Sequence, residues 1–130
     1  MFDEVFNARK LALCDELIDP NYLPHSLPPG FSRDRDGYKQ YISEFFQAFP
    51  DVHITIEYMI AEGDLVAIRS TAHGTHQGEF LGIPPTGNEV TFGGVVTDRI
   101  VDSRIVEDWF DWDQLGLLQQ LGVVPSSAQA

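Results

Sequence analysis

Few residues of this 130-residue chain have the chemistry to move a proton, and Asp113 heads them. It follows Trp109-Phe110-Asp111-Trp112 and precedes Gln114-Leu115-Gly116-Leu117-Leu118. Among apolar walls such as Trp109 and Trp112, a carboxylate has its pKa raised by desolvation. That suits it to abstract a proton α to a carbonyl near neutral pH. An Asp between a strand and a helix is equally an ordinary N-cap, and on the residues alone the two readings stand level. Asp111 takes the acid/base role if the strand register differs. His25, in a proline-rich connection, hydrogen-bonds a ligand carbonyl, or shares a proton with Asp113, or is a loop histidine facing water. His76 is read as structural, tying the backbone of Thr75 and Gly78 in a turn. A strand arginine facing an apolar interior needs a carboxylate partner. Arg99 with Glu107 on the adjacent strand is the expected pair, orienting Asp113 or a ligand, or lying on the outer face. Trp109 shares strand parity with Glu107 and Ile105, so the three are expected on one face.

Other chemistries find no support. His73 and His76 differ by three in a strand and face opposite sides, so they cannot grip one metal ion together. There is no Gly-rich phosphate loop, no Gly-x-Ser-x-Gly elbow and no Walker motif. Cys14, the single cysteine, has no local activator and no internal disulfide partner. An enzyme built on this chain would use acid–base chemistry in an apolar cavity, without a cofactor or metal. Twenty acidic residues against eight basic ones, net −12, argue against a nucleic-acid or anionic-membrane partner, which needs a basic footprint. No apolar run approaches membrane-spanning length, and no charged-then-apolar leader opens the chain, so a soluble, cytoplasmic protein is expected.

The elements that must position these residues follow from hydrophobic periodicity. Residues 2–18 carry Phe2, Val5, Phe6, Leu13 and Leu17 on one helical stripe, stopped by Asp19-Pro20. Residues 21–35 form an irregular connection containing Tyr22 and His25, because Pro24, Pro28, Pro29 and Gly30 forbid a long regular element. A second helix is expected over 36–49, where Tyr38, Tyr41, Ile42, Phe45 and Phe49 recur at spacings of three and four. From Val52 the period becomes two. Strands are expected to residue 61, over 65–75, over 89–101 and over 104–110, joined as hairpins, with a terminal helix over 113–121. Helices followed by consecutive antiparallel strands make an α+β domain over residues 1–124, with 125–130 as a tail.

The long connection Gly74-Thr75-His76-Gln77-Gly78-Glu79-Phe80-Leu81-Gly82-Ile83-Pro84-Pro85-Thr86-Gly87 is shaped by its glycines and prolines. This stretch resembles the central motif of the SnoaL-like polyketide cyclase, or ester cyclase, family of the NTF2-like superfamily. Phe49-Pro50-Asp51, Ile60-Ala61-Glu62-Gly63-Asp64, Arg99-Ile100, Ile105-Val106-Glu107-Asp108-Trp109 and Gly116-Leu117-Leu118-Gln119-Gln120-Leu121-Gly122 extend the similarity. The resemblance implies a cone: a curved antiparallel sheet wrapped around the N-terminal helices, closed by a short C-terminal helix. It also implies Asp113 as general acid/base, assisted by His25. Tyr22, Tyr38, Phe45, Arg99, Glu107, Trp109 and Trp112 would contact a hydrophobic small-molecule substrate. It implies a homodimer through the outer sheet face, burying apolar members of residues 52–60 or 95–109. One departure stands out. Ring-closing members carry a histidine on the strand over 89–101, and Val96 occupies that position here.

Three functions follow as expectations. The first is a cyclase-type enzyme closing a ring by an aldol-type step, or carrying out a related isomerisation or hydration, on a hydrophobic carbonyl compound. The second is a non-catalytic small-molecule-binding protein. The third is an association module whose cavity is filled by its own side chains.

Overall fold

A computed structural model describes residues 14–123 of the chain. The helix expected over 2–18 lies mostly outside them. Its described end is α1, Cys14–Leu17. There follow β1 (Ile18–Pro24), α2 (Arg35–Ala48), β2 (His53–Glu62), β3 (Leu65–Thr75), β4 (Glu89–Val101), β5 (Arg104–Trp112) and α3 (Gln114–Gln120).

The sheet is curved, open and five-stranded, in the order β1-β5-β4-β3-β2. Strands β2 to β5 are antiparallel neighbours, as the hairpin pattern predicts. The addition is β1, which pairs parallel to β5 and makes the sheet mixed, where an all-antiparallel sheet and an irregular connection are expected from the residues. Its prolines hide it. Pro20 and Pro24 argue against a strand unless it lies at an edge, and β1 is an edge strand with an irregular register between Ile18 and Leu23.

Asp34 caps α2, accepting from the Gly37 amide at 2.8 Å and from the Ser32 hydroxyl at 2.7 Å, and these bonds hold its carboxyl below the usual range. The helix buries Tyr38, Tyr41, Ile42, Phe45 and Ala48 against the sheet, and Phe49 beyond its end is fully buried. Of the other stripe residues, Leu17 is half-buried, and Phe6 and Leu13 lie outside the described residues.

Two bulges decide which side chains face the core. On β2 the register slips between Ile56 and Tyr58, so the alternation that buries Val52 and Ile54 ends there, and Tyr58 and Ile60 are exposed. On β5, Ile105 pairs with Ile100 and Glu107 with Arg99, leaving Val106 as the extra residue. The parity joining Ile105 to Glu107 and Trp109 is therefore broken. Ile105 is buried, and Glu107 and Trp109 belong to the opposite face.

The long connection is built around His76, whose side chain is fully buried. The Thr86 amide donates to Nδ1 at 3.2 Å, and the Thr86 hydroxyl lies 3.0 Å from the same nitrogen. The backbone closes the loop through His76 N–H to Asn88 O and Gly87 N–H to His76 O. At Gly78 only glycine fits: a Cβ would lie 2.3 Å from the Gln47 carbonyl oxygen. This docking on the end of α2 sends Phe80 into the core against Phe45 and Phe49.

Candidate active site

Between α2 and the inner sheet face lies a cavity of about 110 Å³. Tyr38, Tyr41, Phe45, Phe92, Phe110 and Trp112 supply its aromatic wall, and Asp108 is its buried carboxyl. A void of this size has room for several waters or for part of a ligand. A second hollow of about 240 Å³ lies between Pro28, Pro29 and Phe31 on one side and Phe80 and Leu81 on the other, with Tyr41 bordering both.

Among the described residues, Asp108 and Asp98 are the acidic groups of the interior. They are directly opposed partners on β5 and β4, with exposures of 3% and 4%. Residues so opposed have Cβ atoms about 4.5–5.5 Å apart. The Tyr22 hydroxyl donates to Asp108 Oδ2 at 2.7 Å. Oδ1 of Asp108 and Oδ1 of Asp98 are buried and have no hydrogen-bond partner. Desolvation, then the charge of Asp108, pushes the Asp98 carboxyl up to about 7. Desolvation raises Asp108 to about 6, against the opposing pull of the Tyr22 bond and of His25. Burial and the nearby Asp108 also hold the Tyr22 and Tyr38 phenols well above their usual range, so both remain neutral donors.

One residue along each strand, the outer face carries a different cluster. Glu107 accepts from Arg99 Nε at 2.9 Å and lies 2.6 Å from His25 Nε2. Arg99 continues to both oxygens of Asp64 at 2.9 Å. His25 stacks on Trp109 with ring centres 4.8 Å apart, and the Arg99 guanidinium lies 6.0 Å from the same ring. The bonds from His25 and then Arg99 hold the Glu107 carboxyl below its usual range.

This geometry redistributes the residues singled out from sequence. Tyr38, Phe45 and Trp112 line the cavity, and Tyr22 reaches it through Asp108. Arg99 and Glu107 pair as expected, but on the outer face with His25 and Trp109. None of these four lines the cavity, because the β5 bulge and strand alternation turn them away. Asp113 is exposed and caps α3, accepting from the Gly116 amide at 2.8 Å. The expectation that it sits in an enclosed apolar pocket is corrected: two residues past Asp111, the chain has left the sheet. Asp111 is exposed at the cavity border. Val96 stands opposite Phe110 in the lining. Asp98 and Asp108 are the residues that sequence reasoning missed. The signal was present, since pairing Arg99 with Glu107 on one face puts Asp98 opposite Asp108 on the other. Among the described residues no group of His, Cys, Asp and Glu is arranged to hold a metal, and no helix is long and apolar enough to cross a membrane.

An open curved five-stranded sheet packed around a helix is the NTF2-like fold. The model of the SnoaL-like polyketide cyclases matches residues 1–121, and the chain belongs to that family. Among solved structures it is similar to IdmH of Streptomyces antibioticus, a proposed polyketide cyclase, with 38% identity, coverage of 94% of each chain and a TM-score of 0.79. It is also similar to AclR of Streptomyces galilaeus, a proposed hydroxylase, with 32% identity, 95% and 77% coverage and a TM-score of 0.83. TsrD of Streptomyces laurentii shares 28% identity over 95% of this chain and 90% of its own, with a TM-score of 0.86. A comparison with curated proteins finds no match.

Proposed function

We propose that this SnoaL-like protein is a cyclase-type enzyme. It performs cofactor-independent acid–base chemistry on a hydrophobic carbonyl compound bound between α2 and the sheet. The observation that carries the reading is Asp108, a buried carboxyl in an apolar cavity wall, fixed by Tyr22 and titrating near neutrality. Ionised Asp108 takes a proton from the carbon α to a ketone, breaking the C–H bond and leaving an enolate. Tyr41 and Ser70 belong to the cavity lining, and their hydroxyls are the candidate donors to the enolate oxygen. The enolate carbon forms a C–C bond to a second carbonyl of the same molecule. The resulting alkoxide takes the proton back from Asp108, which regenerates the carboxylate. Isomerisation uses the same first step. Among the described residues no Lys, Arg or His belongs to the lining, which favours an uncharged substrate.

The protein works as a homodimer in this reading. Tyr58, Met59, Ile60, Ile100 and Val101 leave apolar surface exposed on the sheet, and light scattering at micromolar concentration should give twice the monomer mass.

The chemical proposal is tested with 1-indanone, a compact bicyclic ketone, in D2O. The protein should accelerate deuterium exchange at the α carbon over buffer, and Asp108→Asn should remove the acceleration. Binding of 1-indanone in the cavity without exchange would instead favour the non-catalytic binding protein.

A further inference from the structure

Asp98 has no part in the reaction as written above. It is absent from the cavity lining, yet it is nearly fully buried and faces the reactive carboxyl directly across the β4–β5 ladder. Two carboxylates are both acceptors and cannot bond one another unless a proton lies between them. Here each presents a buried Oδ1 with no partner, while Tyr22 already satisfies Oδ2 of Asp108. One proton shared between the two Oδ1 atoms would satisfy both. Two bare anions at this separation in an apolar interior would repel each other strongly.

We propose that Asp98 and Asp108 form a one-proton carboxyl pair, in which Asp98 is the positioning residue: it keeps the proton and donates it to Asp108 Oδ1, leaving Asp108 as the oriented base. This deepens the acid–base reading and rests on it only for the role of Asp108. In the pair, Asp108 accepts from Asp98 and from Tyr22, and its remaining lone pairs are left for the substrate. The two steps of titration belong to the pair rather than to either residue. Desolvation holds both carboxyls above the ordinary Asp range. The other titratable groups around the pair, among the described residues, leave this arrangement intact. Tyr22 on β1 and Tyr38 on α2 stay protonated, as does Tyr41, whose phenol burial pushes up to about 12. Burial also raises the Cys14 thiol on α1, which keeps it neutral. His25 acts on Asp108 from beyond β1 and is bonded to Glu107 on the outer face. Among the described residues no Lys or Arg bonds either carboxyl.

The test is a ¹³C NMR titration of Asp side-chain carboxyl carbons in the full-length protein and in the Asp98→Asn and Asp108→Asn variants. In the parent, both carbons should report the same two steps, displaced above the ordinary Asp range. Each variant should show a single step, and the upper step of the parent should vanish from both. The two variants are reciprocal, so one that folds suffices, and the parent alone already reports whether each carbon senses both steps. Independent single-step titrations in the parent, or an Asp98 step left in place by Asp108→Asn, would overturn the pair. No turnover is needed. A paired titration without 1-indanone exchange would remove the proposed reaction and leave the pair standing. Exchange with unpaired titrations would do the reverse.

Discussion

Asp98 and Arg99 are adjacent on β4, and Glu107 and Asp108 are adjacent on β5, yet the two pairs they form across the ladder are opposites. Outside, Arg99 meets Glu107, with His25 and Asp64 extending the network into water, and the Glu107 carboxyl is held low. Inside, Asp98 meets Asp108, two like groups to which no Lys or Arg among the described residues is bonded, and both carboxyls are pushed up. Backbone and spacing are shared, so the difference comes from the face alone. Opposite charges in water satisfy each other at little cost, and like charges out of water must hold a proton. A carboxyl that keeps its proton to near pH 7 is available for acid–base work at that pH. A paired surface glutamate is not.

The largest break in this contrast comes from Asp98→Asn. A native pKa raised from 3.8 to about 7 means that the folded chain keeps a proton the unfolded chain has already released, so stability falls as pH rises through that window. Removing the titrating group should remove that loss. Between pH 5 and pH 8 the parent should lose on the order of 3 kcal/mol more unfolding free energy than the variant, measured by urea melts. Tyr22→Phe comes next. It deletes the donor to Asp108 and should cost about 2 kcal/mol at pH 8, where Asp108 is ionised, and less at pH 5. Because the Tyr22 bond pulls the Asp108 carboxyl down, the variant should also titrate Asp108 at higher pH. Asp113→Ala removes only a cap and should cost about 1 kcal/mol, with 1-indanone exchange retained. The smallest effect belongs to the outer face. Glu107→Gln should shift the melting temperature only slightly, and the shift should shrink as salt is added. A large, salt-independent loss there would erase the distinction between the faces.

Most of the frame was legible in the sequence because it rests on periodicity. The apolar stripe of α2, the two-residue alternation of the strands and the turn residues between them are local signals. The position of β1 is not local: a proline-bearing segment becomes a strand only because the β5 edge is available to it. The site was less legible for two physical reasons. Alternation assigns a face only up to the next bulge, and the extra residue Val106 reversed the parity carried back from Glu107 to Ile105. Asp113 satisfies both a cap and a base on composition, and only exposure separates them. Asp108 stood in plain view beside Glu107, but its importance depends on Asp98 across the ladder.

The proposed reaction needs the carboxyl of Asp108 in the sheet, and not that of Asp113 at the helix cap. The most direct measurement compares α-proton exchange of 1-indanone at pH 7 by the parent, Asp108→Asn and Asp113→Asn, all shown to be folded. Asp108→Asn should lose at least about 100-fold of the protein-dependent rate, the ordinary size of a lost general base. Asp113→Asn should stay within about twofold, because Asn caps a helix about as well as Asp. Loss of exchange in Asp113→Asn, with the rate intact in Asp108→Asn, would contradict the proposed reaction.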